Sequence, residues 1–140
     1  MKKEESCYIA GPISFVDIKS KRDNLEMFLK CDEYLSSHFP NWKLLNPAKF
    51  EVQNTWHGNL DSDVRLILDE KPKHIVLLPH WQFSPGAKIE ACVCSILMKS
   101  NIYLFEYSTH ERCYHLVKLK NFKISYQFDF DNLYKMPLIR

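Results

Sequence analysis

Lys73 to Glu90, KHIVLLPHWQFSPGAKIE, decides how the chain is read. Five consecutive apolar residues, Ile75 to Pro79, mark a strand buried on both faces. A turn with Ser84, Pro85 and Gly86 follows, and then Ala87, Ile89, Ala91, Cys92, Ile96 and Leu97 recur at roughly helical spacing. In an open α/β sheet, ligands bind beyond the carboxyl ends of the strands, so this strand-loop-helix unit places a site in its loop. The loop suits an anion: Pro85 belongs near the first helical position, Ser84 can cap, and the amides around Gly86 to Lys88 face the loop side. Gly86 lets a ligand approach the backbone. Glu90 reads as a first-turn carboxylate, ionised by the helix dipole and able to act as nucleophile or base. The plainer account is that Ser84 only caps and Glu90 is only a first-turn acid, since capping chemistry is common.

Outward from this stretch, strands and helices alternate. Ser6 to Ala10 reads as a buried strand, ended sharply by Gly11-Pro12, and residues 12 to 21 as a polar loop at the same sheet edge as Ser84. Leu25, Phe28, Leu29, Tyr34 and Leu35 predict an amphipathic helix from about Arg22 to His38. Trp42 to Leu45 is a second strand closed by Asn46-Pro47, followed by an irregular stretch with Trp56 and Gly58 in a loop. Asp61 to Leu68 predicts a second helix with Val64, Ile67 and Leu68 inward. Asn101 to Phe105 is a fourth strand, Ser108 to Leu119 reads as a helix capped by Ser108 or Thr109, and Phe122 to Phe130 alternates like a strand with one wet face. This pattern predicts a single α/β domain over residues 1–140: three-layer, Rossmann-like (flavodoxin-like), with a mainly parallel sheet of four to five strands and right-handed crossovers.

The totals narrow the function classes. A 140-residue chain with 46 % hydrophobic residues can build one real core. A formal net charge of +2 argues against nucleic-acid polymers and anionic membranes as partners, and no stretch is long enough to span a bilayer or reads as a signal peptide. The five cysteines fit no disulfide framework or zinc knuckle, which predicts reduced thiols in a cytoplasmic protein. There is no dinucleotide fingerprint and no P-loop, and no histidine has trustworthy metal-ligand spacing; Cys113 with His115 is a bare hint. The expectation is therefore no cofactor and no metal. Trp81 and Trp56 can stack a base or sugar, or can fold onto the core.

Two stretches together resemble a known family. YIAGPIS (Tyr8 to Ser14), then NPA (Asn46 to Ala48) with LLPHWQFSPGAKIEA (Leu77 to Ala91), are similar to the nucleoside 2-deoxyribosyltransferase-like superfamily, in particular its small branch in phages and bacteria. The likeness covers roughly residues 7 to 105. It implies that Glu90 is a nucleophile that attacks the anomeric carbon of a nucleoside or nucleotide and releases the base, the glycosyl-enzyme being resolved by water or by another base. It implies that Ser84 and Gly86 hold a 5′-phosphate, that Gly11, Pro12 and Ile13 line the sugar-phosphate side, and that Asp63, or else Asp61, orients the nucleophile or contacts the base. Trp81 is the stacking candidate. The resemblance further implies a homodimer or larger homo-oligomer. Lys73 stands where the family has aspartate, and His80 where it has glycine; these departures motivate the alternative of a nucleotide-binding or sensing domain without catalysis.

Overall fold

The computed structural model describes residues 4–12, 18–49 and 56–120. Five strands form one sheet in the order β2-β1-β3-β4-β5. The strands are β1 (Glu5–Ala10), β2 (Trp42–Leu45), β3 (His74–Leu77), β4 (Asn101–Ser108) and β5 (Cys113–Lys118). The first four are parallel and β5 runs antiparallel to β4. The helices are α1 (Ile18–His38), α2 (Trp56–Glu70) and α3 (Pro85–Ile96), with short 3₁₀ turns at Pro47–Lys49 and Trp81–Phe83.

Period-two alternation along the central strands sorts side chains to the two faces. Tyr8, Ala10, Ile75 and Leu77 pack with Ile67 of α2 and with Ala87, Ala91 and Cys94 of α3. Cys7, Ile9, Val76 and Leu78 pack with Phe28, Cys31 and Leu35 of α1. The expected three-layer Rossmann-like domain is therefore present, with α1 on one face and α2 and α3 on the other. All four residues of β3 are buried, as a strand covered on both sides must be.

Three readings are corrected. Residues Ser108 to Leu119 do not form a helix. Ser108 does accept a hydrogen bond, from the Glu111 amide at 3.1 Å, but it closes a turn instead of opening a helix. Arg112 then takes a left-handed backbone (φ 56°), and Cys113–Lys118 pairs back on β4 with Leu116 opposite Phe105. Aromatic and branched residues that alternate fit a pleated surface better than a helix, and the local hairpin wins. Secondly, Trp56 and Gly58 lie in α2, which starts earlier than the apolar spacing indicated. Its inward residue is Ile67, whereas Leu68 is 42 % exposed. Thirdly, Glu90 lies in the second turn of α3 and not its first. The expected strand Phe122 to Phe130 lies outside the described residues.

Asn46 of the NPA stretch is a structural clip. Its amide donates to Asp32 Oδ2 of α1 at 3.1 Å, and its Oδ1 accepts from the Ala48 amide at 3.0 Å. Lys49 Nζ reaches the same Asp32 oxygen at 3.1 Å. Asn46 and Asp32 are both buried. Asn46→Ala leaves the Asp32 carboxylate and the Ala48 amide short of a partner, and is expected to lower stability by about 2–3 kcal/mol in urea unfolding with little change in the denaturant slope.

Candidate functional site

The carboxyl ends of β1 and β3 meet where the strand order reverses, the position at which open α/β sheets bind ligands. The Leu78 amide donates to Ala10 O at 2.8 Å and carries the β1–β3 pairing past the strand end. Gly11 lies hard against Leu78: a Cβ at Gly11 would stand 2.8 Å from Leu78 Cβ and 2.8 Å from Cδ1. Gly11 is thus required for the close approach of two backbones, whatever it does for a ligand. Pro12 lines the crevice beside it, and Ile13 lies outside the described residues.

From β3 the chain turns at His80, which adopts φ 69°, ψ 15°. This left-handed conformation is one that glycine adopts without steric cost. In this chain a histidine holds it, and its ring is tilted beside Phe83. Trp81 folds onto the buried cluster of the α3 face, one of the two readings open for it, and also lines a cavity at the sheet edge.

Ser84 is the N-cap of α3, with Pro85 at the first helical position. Its Oγ accepts from the Ala87 amide at 3.2 Å, its carbonyl accepts from Lys88 N at 3.0 Å, and the residue is completely buried. Capping is therefore what Ser84 does in this structure. Gly86 is buried in the first turn with ordinary helical backbone.

Glu90 follows, about 7–8 Å along the axis from Pro85 at the helical rise. It is fully buried and accepts a hydrogen bond from the Tyr8 hydroxyl of β1. The expectation of an ionised Glu90 is corrected here. Removal from water pushes its carboxyl up to about 8, and the Tyr8 hydrogen bond offsets only part of that shift. One turn too far from the helix end, Glu90 gains little from the dipole. Tyr8 was not singled out from the sequence, although a signal existed. It is a phenol within SCYIA, otherwise small and apolar, and a buried hydroxyl demands a partner. Asp63 is 8 % exposed on α2, which packs directly on α3.

Lys73 lies at the other end of the sheet. It pairs with Glu5 at 3.2 Å, at the amino end of β3, so this departure leaves the carboxyl-end loops untouched. There His74 Nε2 also meets Glu5 at 2.6 Å, while its ring stacks on Trp42. Those two contacts hold the Glu5 carboxyl below its ordinary range, the His74 bond first.

Fold and site together define a Rossmann-like α/β domain with a buried Tyr–Glu pair between β1 and α3, the helix that follows β3. Residues 5–103 match the family described as a domain of unknown function, DUF4406, and the chain belongs to that family. No curated protein and no solved structure matches it. Among the described residues, no helix is long and apolar enough to cross a membrane.

Proposed function

We propose that the protein cleaves or exchanges the N-glycosidic bond of a nucleoside 5′-monophosphate, with Glu90 as the nucleophile. The observation that carries this reading is the Tyr8–Glu90 pair: a carboxyl held fully out of water, with a strongly raised pKa, oriented by a hydroxyl on the neighbouring strand. Such environments concentrate at reactive sites. The likeness of YIAGP and of the Ser84, Gly86 and Glu90 spacing to deoxyribosyltransferases supplies the reaction class.

In the proposed reaction, a Glu90 carboxylate oxygen bonds to the anomeric carbon as the bond to the base nitrogen breaks. The base leaves with that electron pair and takes up a proton. Water, or a second base, then attacks the same carbon and releases Glu90. At neutral pH Glu90 starts protonated, so its proton must depart before attack. The nucleotide's entry beside α3 places a phosphate near the helix N-terminus, with its positive end toward the ligand. Asp63 serves as an orienting acid, and Tyr8 fixes the nucleophilic oxygen. The homo-oligomer and the cytoplasmic setting belong to this same proposal.

The complete burial and neutrality of Glu90 favour one second reading, a domain that binds a nucleotide without cleaving it. The two are separated by incubating the protein with each common ribo- and deoxyribonucleoside monophosphate and measuring free base by chromatography, with Glu90→Ala alongside. Base release from at least one nucleotide, absent in the variant, supports catalysis. Saturable binding without release supports the second reading. If release occurs, Tyr8→Phe is expected to shift the rise of rate with pH further to the alkaline side. Loss of the phenol removes the contact that lowers the Glu90 pKa.

A further inference from the structure

The amino edge of the sheet, opposite the crevice, carries a surface of its own. Crossover helices between parallel strands run back along the sheet, so α2 and α3 both end at this edge. Antiparallel β5 ends there too: Tyr103 stands opposite Lys118, and the Leu119 amide donates to Ile102 O at 2.8 Å. His74 stands opposite Asn101, so the starts of β3 and β4 and the end of β5 lie side by side. At the usual strand spacing they span about 10 Å.

Exposed lysines stand along it: Lys71 after α2, Lys99 after α3, and Lys118 and Lys120 at the end of β5. None of these forms an ion pair with another described residue. Residues 71–74, 96–102 and 116–120 contain no aspartate or glutamate. Toward β1 and β2 the edge is of mixed sign, with Lys73 on Glu5 at 3.2 Å and Lys43 on Glu70 at 3.1 Å, and Asp69 is exposed in the last turn of α2. Aliphatic side chains interleave with the lysines. At the end of α3, next to Lys99, Ile96 is 66 % exposed and Leu97 62 %. Leu68 is exposed one turn before Lys71, and α2 packs directly on α3. A cation at a helix C-terminus answers the helix dipole, which accounts for Lys71 and Lys99. It accounts neither for Lys118 and Lys120, at the end of a strand, nor for two exposed aliphatics in succession. Lys71 and Lys99 moreover hold left-handed backbone (φ 48° and 51°) at positions where glycine is the ordinary residue.

We propose that this edge docks the protein on an anionic lipid bilayer, with the lysines at the headgroups and Ile96 and Leu97 in the apolar boundary beneath them. Clustered lysines draw a protein to such a surface, and exposed aliphatics enter it. Protein interfaces instead favour tryptophan, tyrosine and arginine and are depleted in lysine, and the three lysine-bearing stretches contain none of those favoured residues. A nucleic acid offers phosphates to the lysines but nothing to the aliphatic pair, since bases stack on rings. The net charge of +2 speaks against an anionic membrane for the molecule as a whole, whereas the field at one edge follows from how the charges are arranged. Docking by the amino edge leaves the Gly11 and Ser84 loops, at the carboxyl edge, open to solvent. The inference does not depend on the role of Glu90.

Co-sedimentation of the full chain with vesicles tests it, comparing phosphatidylcholine alone with equal parts phosphatidylcholine and phosphatidylserine. Binding to the mixed vesicles, weakening as salt rises, is expected, with little to phosphatidylcholine alone. Each lysine near such a surface is worth roughly fivefold in affinity, so Lys118→Gln/Lys120→Gln should bind about 25-fold more weakly. Lys71→Gly/Lys99→Gly should weaken binding to a similar extent with little change in melting temperature, because glycine fits the left-handed backbone. Ile96→Ser/Leu97→Ser, at exposed positions, should cost roughly tenfold or more. Lys30→Gln should bind as the natural chain does, since Lys30 lies over Tyr114, toward the other end of the sheet. The proposal is overturned if the mixed vesicles are not bound, if both vesicle types are bound equally, or if Lys30→Gln weakens binding as much as the edge lysines do. It is also overturned if either lysine pair can be replaced without loss. Unchanged affinity in Ile96→Ser/Leu97→Ser overturns it as well, being the behaviour of a surface for a polyanion such as a nucleic acid. So does a vesicle-free dimer that this same variant dissociates, which makes the aliphatic pair a contact between copies. The base-release assay can fail without affecting any of these outcomes.

Discussion

Glu90→Gln will make the protein more stable at pH 8 and, on the reaction proposed above, will abolish base release. The carboxyl is neutral in the folded chain up to about pH 8, whereas in the unfolded chain it ionises near its ordinary value of 4.5. Below that lower value both states carry the proton and stability does not depend on it. Between the two values only the folded state does, so stability falls as pH rises through this window. Each pH unit there removes at most about 1.4 kcal/mol, and the whole window on the order of 3–5 kcal/mol. Above about pH 8 the loss is complete. Glutamine has the same shape, has nothing to ionise and still offers Tyr8 an acceptor. Thermal melts from pH 5 to 9 should show the natural chain falling relative to the variant, with the gap widest at the alkaline end. Parallel curves would mean that Glu90 is hydrated in solution. Base release, in the proposed reaction, changes in the opposite sense. A glutamine cannot form the glycosyl ester, and loss of a covalent nucleophile is expected to cost on the order of 10³-fold or more in base release. For the natural chain the rate should climb toward pH 8, as the nucleophile loses its proton. On the proposed reaction, stability and reactivity thus oppose each other at one residue.

Gly11→Ala will destabilise the fold far more than adding a methyl group suggests. The new carbon meets Leu78 Cβ at 2.8 Å, and a β-carbon moves only with its backbone. Leu78 is 1 % exposed and packs against the α1 side of the core. Overpacking of this kind typically costs about 1–3 kcal/mol, which for a domain of this size is a fall in melting temperature on the order of 5–10 °C. Leu78→Ala alone opens a cavity and should cost about 2–5 kcal/mol. Combined, the two changes should cost less than the sum of their separate effects, because the second removes the Cδ1 with which the first collides. Strict additivity in urea unfolding would show that the clash is relieved elsewhere.

Much of this fold was legible in the sequence because burial on both faces leaves an unbroken apolar run. IVLLP and YIA carry that mark, and the helices between them carry helical periodicity. The segment after Ser108 was misread because one serine followed by mixed polar and apolar residues fits a capped helix as well as a turn. The strand character of Cys113–Lys118 depends on β4 lying alongside, which is a contact between chain segments and not a local property. The same distinction governs the site. Ser84, Pro85 and Gly86 were readable because capping is local chemistry. The protonation of Glu90 was not, since the dipole is a property of its own helix whereas desolvation comes from the strands packed against it. Tyr8 and Glu90 are far apart in the chain, and only the fold makes them neighbours.

That separation also sets when the site comes into being. The β4–β5 hairpin joins residues close in sequence and can zip on the microsecond scale. β1 must instead find β2 on one side and β3 on the other, with Glu5 opposite Trp42 and Cys7 opposite His74. Parallel pairings of this reach bear loop-closure entropy before any contact repays it, and so form late. The phenol of Tyr8 arrives with β1. A chain that has shed its first strand therefore carries every residue of α3 and still lacks the Tyr8 contact to Glu90. On the proposed reaction, the nucleophile is configured only once β1 has paired with β3, and removal of the first strand is expected to abolish base release.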